Sequence, residues 1–66
     1  MWVVLVQTSD ELEKYLANAN VRPAKTILER SRKILEFRFH ERLDALALKK
    51  ALRKNSKYPP YAFWSV

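Results

Sequence analysis

Apolar residues run without interruption from Trp2 to Val6 before the chain turns polar at Gln7. A short run that is β-branched, aromatic and apolar on both alternating faces predicts a central strand over 2–7. Thr8-Ser9-Asp10-Glu11 then signals a helix, with Thr8 as the expected cap and Glu11 completing a capping box. Asp10 and Glu11 also suit the positive end of the helix dipole. Leu12, Tyr15, Leu16 and Ala19 recur at i, i+3, i+4 and i+7, one apolar stripe. Asn18 and Asn20 close it. Val21-Arg22-Pro23 is extended connector, because the residue before a proline avoids the α region.

Residues 24–40 admit two readings. As a helix, Ile27, Leu28, Ser31, Ile34 and Leu35 share one face, Pro23 takes a favourable first position and Glu29 pairs with Lys33. As a hairpin turning at Ser31-Arg32, one face carries Arg30–Lys33, Leu28–Leu35, Thr26–Phe37 and Ala24–Phe39. The other carries Glu29–Ile34, Ile27–Glu36 and Lys25–Arg38. The strict alternation of Leu35-Glu36-Phe37-Arg38-Phe39 favours the hairpin, although Ser-Arg is a poor hairpin turn. From Asp44, the expected cap, Ala45, Leu48, Ala51 and Leu52 make a second helical stripe. Asn55-Ser56 ends it, Tyr58-Pro59-Pro60 is a stiff link and 61–66 reads as a last strand.

The resulting order, βαββαβ in a single domain over residues 1–66, is the ferredoxin-like arrangement. It is an α+β class with a four-stranded antiparallel sheet, the first and third strands central, and two helices on one face. The alternative makes 24–36 a helix and leaves a three-stranded sheet.

Composition narrows the chemistry. The chain has 66 residues, of which 48% are hydrophobic and 30% charged, too apolar for a disordered tail and enough for one small core. It has no glycine, which excludes Walker loops, dinucleotide turns and nucleophile elbows. It has no cysteine, which excludes thiol catalysis and zinc ribbons and fits a reducing compartment. No apolar run is long enough for a membrane span, and no signal-peptide pattern is present. The expectation is a soluble cytoplasmic protein.

Charge changes the picture further. The net charge is +6, unevenly spread: residues 1–21 carry Lys14 against Asp10, Glu11 and Glu13, a net of −2. Residues 22–57 carry twelve Lys or Arg against Glu29, Glu36, Glu41 and Asp44, a net of +8. Such a field attracts phosphate backbones or an acidic protein surface. Arg30, Arg32 and Lys33 fall at the expected turn, Arg38 on the hairpin, and Lys49, Lys50, Arg53, Lys54 and Lys57 on the second helix and its exit. These are the candidate nucleic-acid contacts, for RNA or DNA. No recognition helix or zinc finger specifies a base.

The remaining motifs point away from catalysis. His40 is the only histidine and has no visible partner for acid–base or metal chemistry, so a solvent-edge role is expected. Asp10, Glu11, Glu13 and Glu41 form no acid–base pair. No enzyme activity, metal or cofactor is expected. Tyr15, Phe37 and Phe39 should be core, and only Tyr58 and Tyr61 sit as exposed aromatics beside the basic cluster. With Trp2, Val4 and Val6 inward, the open sheet face presents Val3, Leu5, Ile27 and Ile34, flanked by Lys25 and Arg38. An apolar face of that kind suits a homodimer or a protein partner. Two functions follow: a non-enzymatic basic module binding nucleic acid without strong base specificity, or an adaptor or inhibitor docking on an acidic protein through its sheet face or strand edge.

Overall fold

A computed structural model describes residues 1–66. The elements in chain order are β1 (Trp2–Gln7), α1 (Asp10–Ala19), β2 (Lys25–Glu29), β3 (Arg32–Phe39), α2 (Arg42–Asn55) and β4 (Tyr61–Trp64). The strands form one antiparallel sheet in the order β2-β3-β1-β4. This is the ferredoxin-like βαββαβ fold, and the strand at 25–29 replaces the alternative helix over 24–36.

Alternation decides what lies inside. Val4 and Val6 of β1 and Leu35 and Phe37 of β3 point to the helix side, where they meet Leu12 and Leu16 of α1 and Ala45 and Leu52 of α2 in one buried cluster. Trp2, Tyr15 and Phe39 pack around its margin. α2 lies over β1, β3 and β4 and against α1. Burying these side chains is the main source of stability in a chain this small.

Both helix starts differ from the sequence expectation. Ser9, not Thr8, is the N-cap of α1: its φ of −146° and ψ of 167° are extended, and its hydroxyl accepts from the Leu12 N–H at 3.4 Å. The capping box is absent because Leu12 occupies the position a reciprocating carboxylate would need. The Thr8 hydroxyl instead donates to the Ser9 carbonyl at 3.4 Å. Asn20 ends α1 in the left-handed region (φ 57°), and the Asn20 and Val21 N–H groups close the last turn on Ala17 and Leu16 carbonyls at 3.2 and 3.0 Å. α2 begins at Arg42, earlier than Asp44, with Glu41 as a cap that makes no side-chain bond. The earlier start lets the Ala45 N–H donate to the Glu41 carbonyl at 3.3 Å and leaves Asp44 in the first turn, where the dipole favours its charge.

The hairpin forms, but it turns one residue earlier, at Arg30-Ser31. The pairs are Lys25–Glu36, Thr26–Leu35, Ile27–Ile34, Leu28–Lys33 and Glu29–Arg32. None of the expected cross-strand pairs is therefore made. The faces survive, because sliding one strand by two residues preserves the parity of every side chain. The tip requires a positive φ at the first loop position, and Arg30 supplies it at 55° where glycine is usual.

Candidate functional site

The sheet face away from the helices carries four cross-strand rows, fixed by the registers. They are Arg38–Val3–Phe63, Lys25–Glu36–Leu5–Tyr61, Ile27–Ile34–Gln7 and Glu29–Arg32. Leu5, Ile27 and Ile34 are half-buried on this face, as expected of an open apolar surface. Val3 is not available there: it is only 5% exposed, flanked across its two ladders by Arg38 and Phe63. Tyr61 and Phe63 are 65% and 42% exposed and place two aromatic rings along one edge of the open face.

At one end of this face a groove of about 290 Å³ opens between β3 and the link into β4. Leu5 and Ile34 form its floor, and Arg32, Tyr58, Pro59 and Tyr61 its walls. The link is held in shape locally. The Ser56 hydroxyl donates to the Tyr58 carbonyl at 2.6 Å and lies 3.2 Å from the Tyr58 N–H, which donates to it. The rings of Pro59 and Pro60 fix their own φ, and Pro60 is buried. The Lys57 ammonium stands 5.7 Å from the centre of the Tyr58 ring, within cation–π range. Two aromatic rings, a guanidinium and an apolar floor thus line one recess.

The basic residues divide into separate groups. Arg30, Arg32 and Lys33 do not form a single cluster. Arg32 faces the open side and pairs with Glu29 at 3.4 Å, while Lys33 faces the helix side and donates to Glu13 of α1 at 2.8 Å. Alternation along β3 forces the split. Arg38 lies at the other end of the open face and donates to Glu36 at 2.7 Å. On α2, Lys49, Lys50 and Arg53 surround Leu46 in a shallow depression. Lys54 and Lys57 face Asp10 and Glu11 across a groove of about 580 Å³ at the start of α1. The three ion pairs of the molecule are Arg32–Glu29, Lys33–Glu13 and Arg38–Glu36. Lys49, Lys50, Arg53, Lys54 and Lys57 take part in none of them. The hairpin tip, the start of α1 and the exit of α2 share one end of the sheet, where the Thr8 N–H donates to the Lys33 carbonyl at 2.9 Å.

Two features were not singled out from sequence. Phe63 joins the open face through its pairing with Val3, which a long-range register alone reveals. Trp2 and Trp64 meet edge to face on the helix side, ring centres 5.6 Å apart, and the Arg42 guanidinium stands 5.8 Å from the Trp2 ring. His40 is exposed in the bend after β3, and no group of three acidic or histidine side chains gathers to hold a metal ion. No helix is long and apolar enough to cross a membrane. Compared with known proteins, the chain matches no family model, no curated protein and no solved structure.

Proposed function

We propose that the protein is a non-enzymatic module that binds single-stranded nucleic acid with little base preference. The observation that carries this reading is the recess of Tyr58, Tyr61 and Arg32 on the open sheet face, continued along the edge by Phe63. Base stacking on aromatic rings is tolerant of sequence, because every base has a π-face. The unpaired cations Lys49, Lys50, Arg53, Lys54 and Lys57 supply the field that draws a phosphate backbone toward the molecule. Arg32, at the recess, is within the same end of the fold as Lys57 and is the first candidate for a phosphate beside a stacked base.

A salt series of fluorescence anisotropy with labelled oligo-dT, oligo-rU and a mixed-sequence duplex tests it. The expected result is tighter binding of the single strands than of the duplex, with similar affinity for the two homopolymers. The log of affinity falls against log salt by about 0.7 per phosphate contacted. Changing Lys54 and Lys57, at the recess end of the fold, together to Gln lowers that slope by about 1.4. His40→Ala leaves binding unchanged. Absence of binding at low salt, or a response indifferent to salt, overturns the proposal.

One observation favours a second reading. Glu36 and Glu29 offset Arg38 and Arg32, two of the three cations of the open face, beside Leu5, Ile27, Ile34 and Phe63, its partly exposed apolar surface. That face suits an adaptor or inhibitor docked on a protein, steered there by the basic helix toward an acidic surface.

A further inference from the structure

The outer edge of β2 carries an inference independent of nucleic acid. β2 is an edge strand, paired only with β3. Glu29 and Arg32 close a two-residue loop, so they form a hydrogen-bonded pair, and alternation makes Ile27–Ile34 one as well, while at the far end of the strand the Ala24 N–H donates to the Glu36 carbonyl at 2.8 Å. The N–H and C=O groups of Thr26 and Leu28 therefore point away from the sheet. Leu28 is 77% exposed, a large apolar side chain at an open edge.

We propose that two copies of this chain pair antiparallel through β2, in a register centred on Ile27. In that register Thr26 of each copy opposes Leu28 of the other. These are the residues whose backbone groups face outward, so four new ladder hydrogen bonds form. Lys25 opposes Glu29 of the second copy at both ends, in non-hydrogen-bonded positions where side chains approach most closely. A single charge on an edge strand protects it from pairing. Opposite charges placed symmetrically about Ile27 instead make the edge complementary to itself. The registers shifted by two residues in either direction lose both charge pairs and set Lys25 or Glu29 against Ile27. β4, the other edge, has no charged residue and no such complementarity.

Packing agrees with the pairing. Thr26 lines a groove of about 430 Å³ on the helix side, with Leu16, Val21 and Leu35 among its walls. Leu28 of the second copy, opposite Thr26, reaches the mouth of that groove. On the other side Ile27 meets its symmetry mate and extends the apolar row of Ile27 and Ile34. The twofold axis stands perpendicular to the sheet, so the two open faces lie on one side of a continuous eight-stranded sheet. This interface is distinct from the face-to-face dimer that the sequence suggests.

Sedimentation velocity, with a charge exchange, tests the register. The unaltered protein dimerises at concentrations up to about 1 mM, the weak end of specific association. Glu29→Lys and Lys25→Glu each weaken the homodimer at least about tenfold, because two attractive cross-strand pairs become repulsive. Mixed in equal amounts, the two variants form a heterodimer about as stable as the original, and the Lys25→Glu/Glu29→Lys double variant recovers the homodimer. Circular dichroism of each variant confirms that the monomer remains folded. Slow amide exchange at Thr26 and Leu28, present only at high concentration, locates the contact. A protein that stays monomeric throughout overturns the proposal, as does a dimer whose strength neither single exchange changes.

Discussion

The two sides of the sheet are built from the same strands yet obey different physics. Val4 and Val6 are 0% and 1% exposed, while Leu5 and Gln7 beside them in the same strand are only half-buried. The difference is the second layer. On one side α1 and α2 bring Leu12, Leu16, Ala45 and Leu52 onto the strands. On the other, the cross-strand rows have only their own neighbours for cover. The covered side is therefore where substitutions should change folding, and the open side where they should change recognition with little effect on folding.

The largest effect expected from this contrast is at Leu52, which is fully buried. Leu52→Ala should cost about 2–5 kcal/mol of stability, read by urea unfolding, and a large fraction of the molecules should then be unfolded. Tyr61→Ala on the open side should weaken single-strand binding by about 1–3 kcal/mol, read by anisotropy. Its unfolding free energy should change by no more than about 0.5 kcal/mol. If Tyr61→Ala destabilised the fold as much as it weakened binding, the two sides would not be separable. At the rim, Arg30→Gly should raise stability by about 1 kcal/mol, because the side chain is held at a positive φ that costs an L-residue energy. The smallest change is at the exposed ion pair: Arg38→Gln should alter stability by about 0.5 kcal/mol, and less at high salt.

Local signals carried much of the architecture. The stripe Leu12–Tyr15–Leu16 and the alternation of Leu35 and Phe37 are properties of short stretches, and the buried positions follow from them. The hairpin tip was less legible, because a slip by two residues leaves every face unchanged and Arg30 bears no mark of a left-handed position. The start of α2 was hidden for a similar reason, since Glu41 ends up as a cap without making a capping bond. The site depends on non-local pairing. Tyr61 and Phe63 reach the open face only because they pair with Leu5 and Val3, and Lys33, turned to the helix side by alternation, finds an ion-pair partner there only because Glu13, far away in sequence, lies beside it. Periodicity within one element contains neither fact.

The absence of glycine also bears on the state the protein leaves when it folds. Glycine is the residue with the most backbone freedom to lose, and replacing one by alanine at a compatible site stabilises a protein by about 0.4–1 kcal/mol through the unfolded ensemble. An average chain of this length would have about four or five glycines. Having none restricts the denatured chain by about 2–4 kcal/mol in sum, comparable to the roughly 3–5 kcal/mol that a core of this size supplies. Part of the stability of this fold thus lies in conformations its disordered chain cannot visit. Glycine introduced at an ordinary exposed helix or strand position should erode it without removing any contact, whereas Arg30, already held in a glycine-like conformation, is the place where the same change works in the opposite direction.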